Sequence, residues 1–175
     1  MTSIKANPIS RIEIRKIAYI IRAIADTLNS PYFPIIYFIE HTLPRDMPEF
    51  NYEIVNLQDM PHNHAETHPD QNLIQIREDV YLRAIKGCGR DRFTLAHELG
   101  HLLLHRANCI SLCRLAPNKR LKPYENPEWQ ANAFAGELLM PIDIIKDMSI
   151  YQICHQCGVS ADAARCQLSL LKNAR

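Results

Sequence analysis

Apolar side chains between residues 8 and 29 fall at Ile9, Ile12, Ile17, Ile20, Ile21, Ile24 and Leu28. That spacing predicts a helix with one buried stripe, with Pro8 tolerated in its first turn and Ser30-Pro31 closing it. Residues 35–43, opened by Pro34 and closed by Pro44, predict a second, shorter helix. The period then changes. Residues 51–56 (NYEIVN) and 73–76 (LIQI) alternate or bunch as strands do, with a polar stretch between them that holds His62, His64 and His68. Residues 78–85 predict a short helix ended by the Gly87-Cys88-Gly89 turn, and 90–105 carry the strongest helical pattern in the chain. A loop rich in proline and basic residues spans 107–127, a helix over 128–140 stops at Pro141, and 142–173 break into two or three short helices around Gly158-Val159-Ser160. Helices first, a small antiparallel sheet, then mostly helix is an α+β order. No internal repeat or low-complexity segment interrupts it.

Size and composition fit that reading. A chain of 175 residues with 47% hydrophobic and 22% charged positions has the makings of one globular domain. The expected division is a main unit over 1–145 and a helical tail over 146–175. A formal net charge of +1 gives no global field toward nucleic acid or anionic lipid. The opening Met1-Thr2-Ser3-Ile4-Lys5 has no secretory pattern. The most apolar early stretch, 17–28, is interrupted by Arg22 and Asp26 and falls short of a membrane span. The expectation is a cytoplasmic protein, with no membrane segment and with Cys88, Cys109, Cys113, Cys154, Cys157 and Cys166 as free thiols.

The chemistry concentrates in His97-Glu98-Leu99-Gly100-His101. On a helix, positions 97 and 101 stand about 6 Å apart along the axis on one face, so both imidazoles can point at one cation. Zinc takes neutral nitrogen ligands readily, and Glu98 stands where a carboxylate can take a proton from an attacking water and pass it to a leaving nitrogen. Phe93, Leu95, Ala96, Leu99, Leu102, Leu103 and Leu104 make this helix largely apolar. Two histidines and a glutamate on a buried helix each need a partner away from water. The competing explanation is core histidines satisfied by hydrogen bonds alone.

A catalytic zinc usually has three protein ligands. The best third candidate is Glu128, which opens the next helix; Asn132, one turn on, can hydrogen-bond a ligand histidine. Glu125 in the Pro-rich entry and Glu137 on the far side of that helix compete for the place, and the alternative for Glu128 is that it favours the helix dipole.

The stretch Arg90-Asp-Arg-Phe-Thr-Leu-Ala-His-Glu-Leu-Gly-His-Leu-Leu-Leu-His105, followed by Glu128-x-x-Ala-Asn-x-Phe-Ala-x-x-Leu-Leu-Met-Pro141, resembles the ImmA/IrrE family of zinc metallopeptidases. The likeness covers about residues 75–141. It implies a minimal zincin-like fold, Zn2+ held by His97, His101 and Glu128, and Glu98 as the catalytic base. It also implies narrow endopeptidase action on a partner protein, such as a helix-turn-helix repressor or an antitoxin, in stress responses, mobile elements or toxin–antitoxin-like settings. A metal-bearing regulator that acts by binding is the alternative. Relatives often carry a second acidic residue two positions after the glutamate ligand, where this chain has Gln130; Gly136 replaces a common alanine.

Other groupings are weaker. His62, His64 and His68 offer a second metal site or a residue to steady an oxyanion, but an exposed segment explains them as well. His105, one turn past His101, could serve near the metal or cap the helix end, and capping is the simpler expectation. Cys109, Cys113, Cys154 and Cys157 offer four thiolates for a structural zinc, although small buried thiols are commoner. Arg106, Arg114, Lys119, Arg120 and Lys122 make a basic loop suited to steering an acidic partner. Residues 153–170 have a helix-turn-helix look, but with Arg165 as their one basic residue they suit packing or protein contact, not direct nucleic-acid binding.

Overall fold

The computed structural model of the chain describes residues 2–106, 110–114 and 121–172. It is α+β, and the element order is β1 (Thr2–Ala6), α1 (Arg11–Ile24), α2 (Ile35–Tyr37), α3 (Leu43–Asp46), β2 (Asn51–Val55), β3 (Ala65–His68), β4 (Leu73–Arg77), α4 (Glu78–Ile85), α5 (Gly89–Leu104), β5 (Ile110–Arg114), α6 (Pro127–Leu139), α7 (Ile142–Ile145), α8 (Ile150–Cys157) and α9 (Ala161–Lys172). No helix among the described residues is long and apolar enough to cross a membrane.

The first helix is shorter than its apolar pattern. Ser10 caps it through a reciprocal bond with Glu13, so Pro8 lies outside, and it ends at Ile24, one residue before Ala25 and two before Asp26 with φ of 53°. Its buried face is Ile14, Ala18, Ile21 and Arg22, while Ile12 and Ile20 remain more than half exposed. The expected stripe is corrected: of its positions within the helix Ile21 is buried and Ile17 half-buried, while Ile12, Ile20 and Ile24 are exposed. The second helical run also departs from expectation by passing through Pro44. Phe38–Thr42 widen to a π-helix just before it, in which the Leu43 N–H reaches Phe38 O. A regular α turn would have set the proline ring against a preceding carbonyl.

The three-stranded sheet has the order β2-β4-β3. The two strands expected from the sequence, β2 and β4, pair parallel, while β3, not expected, runs antiparallel to β4, so the sheet is mixed rather than antiparallel. β3 itself lies inside the polar histidine-bearing stretch, where four residues give too short a pattern to read. A second, two-stranded antiparallel sheet joins β1 to β5, with Thr2 opposite Arg114 and Ala6 opposite Ile110. Neither strand was anticipated, since each finds its partner about a hundred residues away.

One core gathers Ile14 and Ile21 of α1, Phe33, Phe38, Ile74 and Ile76 of β4, Leu95, Leu99 and Leu102 of α5, and Phe134, Leu138 and Leu139 of α6. The tail helices join it through Ile153, Cys157, Val159 and Ala164. Two buried guanidinium groups tie its layers together. Arg92 of α5 donates to Gly158 O at 2.9 Å, Phe33 O at 2.8 Å and the Tyr32 hydroxyl at 2.5 Å. Arg22 of α1 donates to Leu138 O and Thr27 O at 2.6 and 2.7 Å, and to Ser30 O. Each satisfies carbonyls at element ends, which is how a buried charge is tolerated.

Candidate metal centre

The centre is built where α5 and α6 cross. Gly100 sets their separation: a Cβ at this position would stand 3.1 Å from Ala131 Cα and 3.1 Å from Phe134 Cδ1. The glycine therefore lets the first turn of α6 lie against the histidine face of α5. That first turn is fixed by Asn126, whose side chain accepts from the Glu128 N–H at 2.9 Å, and by Pro127 in the opening helical position.

This arrangement brings His97, His101 and Glu128 together, with one potential ligand atom from each lying within 4.8 Å of the others. The two Nε2 atoms are 2.9 Å apart, and the Glu128 carboxylate oxygens lie 3.3 Å from each. Asn132, one turn along α6, faces His97 Nδ1 through Oδ1 at 3.1 Å. With the His97 proton directed to that oxygen, Nε2 presents a lone pair. Two imidazole lone pairs and a carboxylate facing one another at these distances repel unless a cation lies between them. A tetrahedral zinc with bonds of about 2.0–2.1 Å separates its ligand atoms by roughly 3.3 Å, so the donor set suits that ion in chemistry and spacing.

The rivals for the third place are engaged elsewhere. Glu137 is buried between Arg11 Nε and Arg15 Nε, each at 2.8 Å. Glu125 pairs with Lys5 at 2.9 Å.

Glu98 stands beside the cluster, 8% exposed. Thr67 Oγ1 lies 2.7 Å from Glu98 Oε2 and 3.0 Å from its backbone carbonyl. Burial pushes this carboxyl above the usual range; the Thr67 bond and neighbouring His97 work the other way. Thr67 was not found from the sequence. Its signal is the register of β3: Ala65 and Thr67 stand opposite Ile76 and Ile74, both buried, so Thr67 shares their face and looks toward α5.

His101 is held neutral down to about 3, first by burial and then by His97 and His105. His105 occupies the C-cap position of α5, but its ring does not serve the helix end. It is 3% exposed, with Nδ1 2.9 Å from His101 Nδ1 and Nε2 2.9 Å from Gln130 Oε1. The expectation of side-chain capping is corrected accordingly: burial outweighs the attraction of a cation to the helix end, and its pKa is lowered.

The histidines of the 62–68 stretch do not assemble into a second centre. His68 meets Gln75 at 3.2 Å, His62 is exposed, and among the described residues no other group of three His, Cys, Asp or Glu converges. Cys88, Cys154, Cys157 and Cys166 are free, and burial pushes the Cys157 thiol up to about 11. Cys109, Lys119 and Arg120 lie outside the described residues, and so do the side chains of Cys113 and Arg114.

A family model, Peptidase_M78: IrrE N-terminal-like domain, matches residues 50–169, which is more than half of the chain and includes both helices of the centre. No curated protein matches the chain.

Proposed function

Because the chain belongs to this IrrE-like family of metallopeptidases, we propose that it is a zinc endopeptidase of narrow specificity acting on a partner regulator, repressor or antitoxin. The observation that carries the reading is the convergence of His97, His101 and Glu128 beside a separate buried carboxylate, Glu98. A protein that only stored a metal would gain nothing from the second carboxylate, whose burial is costly.

A zinc held by His97, His101 and Glu128 would supply Lewis acidity toward the scissile carbonyl and would lower the pKa of water to about 7. The rest falls to the chain's own residues. His97 and His101 present Nε2, Asn132 holds the His97 ring, and Glu128 contributes a carboxylate. Glu98, its raised pKa bringing it nearer to neutrality, accepts the proton of the attacking water at a carboxylate oxygen and delivers it to the leaving nitrogen. The Thr67 hydroxyl, bonded to Oε2, fixes the carboxylate plane for both transfers. Selectivity for one partner follows when binding energy from surfaces remote from the scissile bond positions the peptide. The basic loop bearing Arg106 and Lys122 at its ends is the candidate surface.

The test sets a helix-turn-helix partner encoded beside this chain against casein. The zinc-loaded protein is expected to cut the partner once or a few times in a linker and to leave casein intact. Glu98→Gln should slow the cut by roughly 10²–10⁴-fold and keep the zinc. Equal degradation of casein overturns narrow specificity, and an undiminished biological effect of Glu98→Gln favours a regulator that acts by binding.

A further inference from the structure

Gln130 has no role in the reading above, yet its side chain is 1% exposed and makes three polar contacts inside the protein. Two of them define the amide's orientation. Its Nε2 lies 2.9 Å from Asn7 O and 2.8 Å from Tyr124 O, and both partners are main-chain carbonyls that can only accept. The amide therefore spends both protons on them, and Oε1 is left as a pure acceptor.

From that oxygen the hydrogen-bond polarity propagates in one direction. His105 Nε2, 2.9 Å from Oε1, must carry a proton to bond it. In the neutral ring Nδ1 is then a lone pair. His101 Nδ1, 2.9 Å from that lone pair, must in turn carry the proton. His101 Nε2 is then unprotonated and faces His97 Nε2 and Glu128. The opposite polarity fails at its first link, because Gln130 would have to turn an oxygen toward two carbonyl oxygens.

We propose that Gln130 is a positioning residue which, through His105, fixes the tautomer of His101 that can bind a metal. This inference rests on the zinc-site reading of His97, His101 and Glu128, which it deepens. His97 reaches the same state in one step through Asn132; His101 needs two because the ring of His105 lies between it and α6. The anchor of the relay is the N-terminal segment. Tyr124 O also accepts from the Ile9 N–H at 3.1 Å, and Lys5 pairs with Glu125, so residues 5–9 and 122–126 form one seat for the Gln130 amide. An acidic residue at this position would still accept from His105 but would not bond the two carbonyls. The chain's glutamine joins the seat of the N-terminal segment to the metal centre.

The experiment compares Gln130→Met with Gln130→Glu, measuring zinc affinity by chelator competition with the full chain. Both variants lose the bonds to Asn7 O and Tyr124 O; only the glutamate keeps an acceptor for His105. Zinc affinity is expected to fall about 10–100-fold in Gln130→Met and markedly less in Gln130→Glu, which loses the seat but keeps the acceptor for His105. Nitrogen-15 spectra of the imidazoles in the zinc-loaded wild type should show His105 protonated at Nε2 and bare at Nδ1. Equal weakening in both variants would mean that Gln130 merely seats the N-terminal segment, and it overturns the proposal. So does unchanged affinity in Gln130→Met, or a His105 protonated at Nδ1. A wild-type chain that takes up no zinc at all overturns instead the metal-site reading on which the relay stands.

Discussion

The chain holds two triplets of histidine, and they differ in nearly everything but residue type. His62, His64 and His68 sit on a turn and a four-residue strand. Of their rings, one bonds a glutamine on the neighbouring strand, and none joins a group of three potential ligands among the described residues. His97, His101 and His105 sit at successive turns of one sixteen-residue helix and its cap, and adjacent rings are 4.6 and 4.9 Å apart. The helix gives the second set a common face, but the face alone does not make a site. α6 crosses at Gly100 and contributes Glu128, Gln130 and Asn132, one partner for each face of the histidine column. A cluster of potential ligands becomes a site when a second rigid element fixes which nitrogen of each ring is free.

The widest way to break that contrast is at the crossing. In Gly100→Ala the added methyl meets backbone of α6 and the buried Phe134 ring at 3.1 Å, and neither can move without disturbing the core. Overpacking of this kind costs about 1–3 kcal/mol. It should also weaken zinc binding by tilting Glu128 away from the histidines. Urea unfolding and chelator competition on the same variant would check both; full stability with full affinity would remove Gly100 from the account.

Acid should sharpen the contrast. Unfolded imidazoles take up a proton near 6.5, whereas burial, His97 and His105 hold folded His101 neutral to about 3. Below pH 6.5 the unfolded chain therefore binds a proton that the folded chain refuses, and stability falls as pH falls. Between pH 7 and pH 5 this residue alone removes on the order of 2 kcal/mol from the metal-free protein. The urea midpoint should drop accordingly, and the drop should shrink in His101→Asn. A midpoint independent of pH would contradict the neutral, buried state.

The smallest expected effect is on the other triplet. Substituting His62, His64 and His68 together by alanine should leave the zinc content unchanged. Loss of zinc would show that this segment reaches the metal after all.

What the sequence made legible followed from regular repetition. The helix over 78–85 and the helix carrying His97 and His101 stand where the apolar spacing put them, within a residue at each end. Short and non-local features were hidden. β1 and β5 are five residues each, and each pairs with a strand more than a hundred residues away. The parallel pairing of β2 with β4 depends on β3 taking the other side of β4. Thr67 and Gln130 carry no motif of their own, and their places emerge only once a strand register and two main-chain carbonyls are known. Arg22 looked like an interruption of an apolar helix; it is a core residue because three carbonyls converge on its guanidinium. The histidine pair and Glu98 were readable because a helix translates spacing directly into a shared face. Glu128 needed more, namely the crossing of a second helix.

The central claim, that His97, His101 and Glu128 hold one zinc while Glu98 is kept for proton transfer, is tested most directly by counting zinc per chain with native mass spectrometry. One zinc is expected in the wild type and in Glu98→Gln, and none in His97→Ala, His101→Ala or Glu128→Ala. Full zinc in His101→Ala, or its loss in Glu98→Gln, would contradict it.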